Sequence, residues 1–201
     1  MKKRFILFVL IITLFFPVFS QQPTTFQLRK NFNEGYRLFN LFNYKKALPY
    51  FLALYKYDTE NANYAYLTGV CFYKIKKYEK AVSFLTQAVK NTTINYKDFN
   101  YSEKKAPLTA YLFLGLANQK AYHFNQAIKN YNLYKKIEEK ADTQIVNQYI
   151  RSAEYAKKAI KDSIQISISN LGESVNSKYN DYAPVLSSNE KTLIFTSRRK
   201  G

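Results

Sequence analysis

Small residues recur at a fixed interval along the chain. Gly35 and Gly69 are 34 positions apart and Gly115 follows 46 positions later; Ala47, Ala81 and Ala127 repeat both intervals, each 12 positions after its glycine. Four positions further on stands a large side chain, at Phe51, Leu85 and Tyr131. A period in this range, with apolar residues at helical spacing around it, restricts the chain to stacked pairs of antiparallel helices. Two helices approach closely only where facing side chains are small, so the glycine of each first helix and the alanine of each second helix are read as the contact. Glycine costs a helix about 1 kcal/mol relative to alanine, so three of them in one register point to packing. A bulkier residue at Ala81 would overpack the pair by roughly 1–3 kcal/mol.

The first helices are expected in "FQLRKNFNEGYRLFN", "NYAYLTGVCFYKI" and "LTAYLFLGLANQKA", and the second in "YKKALPYFLALYKY", "YEKAVSFLTQAVKN" and "FNQAIKNYNLYKKIEE". The turns "LFNYKKA", "IKKYEKA" and "AYHFNQA" each place an aromatic shortly before the alanine. This pattern resembles the tetratricopeptide (TPR) repeat over most of residues 28–141, with repeats at about 28–61, 62–95 and 108–141. It departs from that repeat in three ways. No proline ends a second helix, Tyr111 alone supplies the large aromatic that opens a first helix, and Leu54 and Tyr134 replace a second alanine that Ala88 retains. Residues 96–107, "YKDFNYSEKKAP", separate repeats two and three and are expected to lengthen the flanking helices or to loop over one rim. The stretch 143–162 carries Ile145, Tyr149, Ala153, Ala156 and Ile160 at helical spacing and reads as a helix capping the open end of the solenoid, which completes a helical domain over 28–162.

The period changes after Asp162. Ile164, Ile166 and Ile168 alternate with polar residues as in a half-buried strand, and "YAPVLSS" and "KTLIFTS" read as two more strands around a turn. Residues 163–201 resemble the start of a WD40-like, TolB-type β-propeller blade, matched at Pro184, Ser187, Lys191, Leu193, Phe195, Ser197, Arg199 and Gly201. Asn189 and Glu190 stand where that family has Asp-Gly, and asparagine is expected to take the left-handed turn position. The fold class expected is therefore mainly α: a TPR α-solenoid of three repeats and a capping helix, followed by a partial β-propeller blade. A blade has about 40–45 residues in four strands, so the chain is expected to be the N-terminal part of a longer protein.

The first 20 residues stand apart. "MKKR" is a basic start, "FILFVLIITLFF" an apolar run too short for a span of roughly 20 residues, and "PVFS" a small-residue site, which together predict an export leader cleaved after Ser20 and a short linker at 21–27. Net charge is +17, and removal of Lys2, Lys3 and Arg4 leaves about +14. Export argues against nucleic acid as the partner; the lysines read either as solvated faces or as an attraction to anionic lipid, polymer or an acidic partner. Leader, TPR array and propeller start, in that order, resemble periplasmic TPR–propeller proteins that often continue into an OmpA-like, peptidoglycan-binding domain and are linked to type IX secretion and gliding. The resemblance implies an exported, periplasmic, outer-membrane-associated scaffold.

Chemistry has little support in the residues. Cys71, the single cysteine, sits in an apolar helical pattern; His123, the single histidine, falls in a turn; no phosphate-binding glycine loop or metal-ligand spacing is present. Neither a cofactor nor a metal is expected. In a TPR array the first helices line a concave face, and in that register the resemblance places Tyr36, Phe39, Asn40, Asn63, Tyr66, Tyr73, Lys74, Thr109, Gln119 and Lys120 inward, as candidates to hold a protein or peptide partner. Aromatic rings supply contact area, and asparagine and lysine can hold backbone groups or a carboxylate of an extended segment. The alternative is a basic protein attached to an anionic envelope surface by charge, an attachment that rising salt would abolish.

Overall fold

The structure, a computed structural model, describes residues 23–162 and 167–200. The expected leader and the first part of the expected strand, through Ile164 and Ile166, lie outside the described residues. Two bodies are present, one ending at Lys161 and one beginning at Asp162.

The first body is built of α1 (Thr25–Asn40), α2 (Tyr44–Tyr57), α3 (Ala62–Lys74), α4 (Tyr78–Ala88), α5 (Thr109–Lys120), α6 (Phe124–Ile137) and α7 (Thr143–Lys161). Their starts follow from local capping. The Thr24 hydroxyl accepts from the Gln27 backbone N–H while the Gln27 side chain accepts from that of Thr24, which satisfies two otherwise unpaired donors. Asn43 and Asn61 cap α2 and α3 through their side-chain oxygens. Each first helix ends in the same way. Phe42, Lys76 and Tyr122 take a left-handed conformation, with φ of 57°, 63° and 63°, and the next N–H reaches back to the helix: Asn43 to the Leu38 carbonyl at 2.9 Å, Lys77 to Phe72 at 2.9 Å and His123 to Asn118 at 2.8 Å. This is a Schellman-type closure made three times without glycine. Lys76→Gly, which removes an exposed side chain from that strained position, is expected to stabilise the protein by about 1 kcal/mol and to raise Tm by roughly 2–4 °C in a thermal melt followed by circular dichroism.

Packing corrects one expectation. The partner of each glycine is not the alanine but the large residue four positions beyond it. A Cβ on Gly69 would lie 2.6 Å from Leu85 Cγ, and one on Gly115 would lie 2.5 Å from both Tyr131 Cδ1 and Cε1. At Gly35 the nearest atoms, Phe51 Cε1 and Tyr50 Cβ, are at 3.0 Å. The glycines are thus sockets for Phe51, Leu85 and Tyr131, while Ala47, Ala81 and Ala127 are fully buried in the same clusters. Leu54 and Tyr134 are buried where a second alanine was expected. Cys71 is buried among apolar groups, and that burial pushes its thiol up to about 12, so it behaves as a small hydrophobe.

The capping helix also differs in detail. α7 packs on α6 through Val146 and Ala153, with Tyr149 stacked on Tyr131 at 5.6 Å between ring centres. Ile145 and Ile160, placed on the inward stripe by their spacing, are 44% and 50% exposed. Tyr131 sets this rotation, because its ring takes Tyr149 as partner and Val146, one position from Ile145, follows Tyr149 inward.

In the second body β3 (Asp181–Leu186) pairs antiparallel with β4 (Leu193–Ser197), with a break in register between Tyr182 and Val185. Pro184, which cannot donate to the ladder, falls in that break. The turn is closed by Ser187 N–H to the Thr192 carbonyl at 2.9 Å. Glu190, not Asn189, takes the left-handed position, at φ 57°. Asn189 instead accepts from the Lys191 N–H and the Ser187 hydroxyl through its side-chain oxygen, so the asparagine fixes the turn by hydrogen bonding and leaves the strained position to its neighbour. Residues 167–171 form no strand, and Ile168 is 93% exposed. Arg199 ties this body together by donating to the carbonyls of Ser174 and Val175 at 3.0 and 2.8 Å. Hydrogen bonds from Ser197, Ser177 and Arg199 hold the Asp181 carboxyl at about 2. No described helix is long and apolar enough to cross a membrane.

Candidate functional site: the first-helix groove and its insert

The insert takes the second of its two expected forms. α4 ends at Ala88 and α5 begins at Thr109, so neither helix is lengthened. Instead β1 (Thr92–Thr93) pairs in parallel with β2 (Ala106–Pro107), and the Ala106 N–H donates to the Asn91 carbonyl at 2.9 Å. Ala106 is fully buried among Ala62, Ala65, Ala88 and Ala110. This anchored base closes residues 94–105 into a compact surface loop.

The loop lies across α1 and α3 and binds side chains predicted to face a partner. Asn63 is the centre of the contact. Its backbone N–H donates to the Lys104 carbonyl at 3.2 Å, its side-chain amide donates to the Glu103 carbonyl at 3.4 Å, and its side-chain oxygen accepts from the Tyr96 hydroxyl at 2.7 Å. The Tyr36 hydroxyl donates to the Asp98 carboxylate, and the Tyr36 ring lies 4.4 Å from that of Phe99. Tyr64 donates to the Tyr101 carbonyl at 3.0 Å, and the Arg29 guanidinium sits 5.6 Å over the Tyr101 ring.

The ten predicted residues divide accordingly. Tyr36 and Asn63 are buried by the insert, and Tyr66 is held by Thr109, hydroxyl to hydroxyl, at 3.3 Å. Gln119 accepts from the Tyr131 hydroxyl at 2.7 Å and donates to Ser152 at 3.1 Å, which ties α5 to the second helix of its repeat and to the cap. Phe39 is half-buried edge-on to Tyr44 and Phe51. Tyr73 packs edge-on to Phe113 at 5.9 Å, and the exposed Lys74 ammonium lies over the rings of Tyr44, Tyr73 and Phe113 at 5.7, 6.0 and 5.9 Å. Asn40 and Lys120 are exposed. Asn40 lines an apolar cavity of about 400 Å³ with Phe32, Asn33, Tyr36, Leu41 and Phe99, roofed in part by the insert. Tyr96, Asp98, Phe99 and Phe113 also belong to this face and carry no mark in the repeat register. The first three lie outside the repeat, and their signal was an aromatic-rich insert where a solvent loop would be polar.

Burial sets the electrostatics of this face. It pushes the phenols of Tyr64 and Tyr66 up to about 12, and those of Tyr36 and Tyr96 higher still, with Asp98 adding to the shift at Tyr36. These groups hold their protons more tightly when folded, so the stability they contribute is complete below about pH 10 and is lost as pH rises toward the folded values. Tyrosinate absorbance at 295 nm is expected to keep rising past pH 11, with the late phase coinciding with loss of helical ellipticity. Among the described residues no group of three or more His, Cys, Asp or Glu is placed to hold a metal ion.

No family model matches the chain, and comparison with curated proteins finds no relative. Solved structures do resemble it. The second TPR domain of human RPAP3, solved in complex with an HSP70 peptide, SGPTIEEVD, is 19% identical, with a TM-score of 0.51 over 64% of this chain and 96% of that one. The Sgt2 TPR domain from Aspergillus fumigatus is 15% identical, with a TM-score of 0.52 over 79% and 96%. The Yersinia enterocolitica type III secretion chaperone SycD, solved with a peptide of the translocator YopD, is 14% identical, with a TM-score of 0.50 over 69% and 97%. At these identities the likeness shows the fold: the helical body is a TPR-like solenoid of helix pairs.

Proposed function

We propose that the chain is a non-enzymatic, exported scaffold whose first-helix groove holds an extended segment of a protein partner. One observation carries this reading. Asn63 already grips the main chain of an extended segment, the Glu103–Lys104 stretch of the insert, through one backbone and one side-chain donor. The groove therefore has the means to hold peptide backbone. The part of it not covered by the insert offers Tyr73 and Phe113 as rings and Lys74 and Asn40 as exposed polar groups. RPAP3 and SycD, which share the fold, were solved with peptides bound, and this supports the same use here. The location we propose is the periplasm, in association with the outer membrane. It rests on the leader and on the resemblance of the β3–β4 region to the start of a propeller blade, a second surface for the same assembly and a link to secretion machinery.

Two measurements test the reading. Fusion of residues 1–30 to alkaline phosphatase is expected to give periplasmic activity; an inactive fusion removes the exported location. A photo-crosslinking phenylalanine analogue at Asn40 or Lys74 is expected to capture a discrete partner in cells, whereas the same group at Lys56, on a second helix, is not. Equal yields at all three sites, or none, would defeat the groove as the binding surface.

A further inference from the structure

The two edges of the solenoid carry different charge, and the fold does not require it. The turns inside each repeat, at residues 41–43, 75–77 and 121–123, occupy equivalent positions and line one edge. Turns two and three are in contact, because His123 Nε2 lies 3.7 Å from the Glu79 carboxylate and one depression is shared by Lys76, Lys77, Lys80, Lys120 and Tyr122. Lys74, above the Tyr44 ring, joins turn one to turn two. This edge presents Lys45, Lys46, Lys76, Lys77, Lys80 and Lys120, all exposed, against the single acid Glu79. The turns between repeats lie on the opposite edge. There Asp58, Glu60, Glu138 and Glu139 are interspersed with lysines, so positive charge does not accumulate.

The tips of the basic edge carry a second signal. Two of the three left-handed positions hold aromatic residues, Phe42 and Tyr122, which are 78% and 71% exposed, and Leu41, next to Phe42, is 62% exposed. Glycine would meet the backbone demand at lower cost, and rings so exposed add little to the core. Apolar tips rising from a row of ammonium groups are the composition of a surface that enters a headgroup layer. There the rings insert at the boundary and the lysines meet the anionic surface potential.

We propose that this edge docks on an anionic lipid bilayer, with Phe42, Leu41 and Tyr122 inserting between headgroups and the lysine row meeting lipid phosphates. Leu41 and Lys74 border both this edge and the groove, but Phe42, Tyr122, Lys76, Lys77 and Lys80 are not among the groove residues, so the proposal stands without the partner site.

The test uses the chain from Gln21, which retains every described residue and lacks the apolar leader, in sedimentation with vesicles. Partition is expected onto phosphatidylglycerol-containing vesicles and not onto pure phosphatidylcholine, and it is expected to fall steeply between 0.05 and 0.5 M salt, where the Debye length contracts well below about 10 Å. K76E/K77E/K80E is expected to lose binding by tenfold or more, at about one kcal/mol per lysine near the surface. K56E/K90E/K140E, which makes the same change in net charge on the opposite edge, is expected to lose much less. F42S/Y122S is expected to weaken binding several-fold while helical ellipticity is unchanged. Equal losses in the two charge-reversal variants would show a bulk charge effect and overturn the proposal. Binding to neutral vesicles as tight as to anionic ones would also overturn it. So would retention on polyglutamate combined with vesicle binding that F42S/Y122S leaves intact, because that pattern marks an acidic protein as the partner.

Discussion

Gly115→Ala is expected to destabilise the protein by about 2–3 kcal/mol, lowering Tm by roughly 5–10 °C, although alanine is the better helix former. The added Cβ would sit 2.5 Å from two ring atoms of Tyr131. That ring cannot retreat: it is fully buried, its hydroxyl donates to Gln119 at 2.7 Å, and Tyr149 of the capping helix stacks against it at 5.6 Å. Overpacking of this kind exceeds the gain of about 1 kcal/mol in helix propensity. The three glycines should therefore rank by socket. Gly69→Ala, against Leu85 Cγ at 2.6 Å, should cost less, because a leucine adjusts its rotamer more freely than a tethered tyrosine. Gly35→Ala, with its nearest contacts at 3.0 Å, should be close to neutral. Tyr131→Leu in the Gly115→Ala background should recover part of the loss, since leucine fills the same socket in the second repeat. Thermal or urea melts of the three single variants and the double variant test this. A ranking in which Gly35→Ala is the most harmful, or an additive double variant, would reject the socket account.

The socket was half legible in the sequence. The interval between Gly35, Gly69 and Gly115 gave the helix pairs, and α2 runs over the residues its pattern predicted, Tyr44–Tyr57, but α4 stops at Ala88, short of the expected Asn91, and α6 at Ile137, short of Glu139. Spacing along one helix shows that a position must be small, but not which atom of the neighbouring helix fills it, so the role of Phe51, Leu85 and Tyr131 emerged only with the packing. The rotation of α7 was hidden for the same reason. Ile145 and Val146 are both apolar, and the choice between them was made by Tyr131, a residue of another helix. The left-handed tips at Phe42, Lys76 and Tyr122 left no trace because the usual sign, glycine, is missing there. The candidate site was legible in its parts. Asn63 reads as a holder of a partner's backbone, whereas the backbone it is bonded to is the chain's own; a repeat register says nothing about the twelve residues outside the repeat, and these cover the site.

Asn63→Leu is expected to release that cover. The substitution keeps the volume and the helix but removes the acceptor for the Tyr96 hydroxyl and the donor to the Glu103 carbonyl, in a place with no exposed surface at Asn63. Each buried polar group left without a partner costs about 1–3 kcal/mol, so docking of residues 94–105 weakens by roughly 2–4 kcal/mol. Little of this should reach the repeats, because α3 is otherwise buried through apolar and small residues, Leu67, Gly69 and Val70 among them. The expected result is local opening. Trypsin should cut at Lys97, Lys104 or Lys105 at least tenfold faster than in the wild type, while the global Tm falls by only a few degrees. Tyr96→Phe, which deletes one hydrogen bond and leaves the Asn63 amide engaged with Glu103, should give a smaller acceleration in the same direction. The tyrosine titration gives an independent readout: with the insert undocked, Tyr36 and Tyr96 lose the burial that raises them, and the late phase at 295 nm should shrink. If cutting within 97–105 is unchanged in both variants, the insert is held by its anchored base at Thr92–Thr93 and Ala106–Pro107 and not by the groove. Asn63 would then be a satisfied core residue with no claim to recognise peptide backbone.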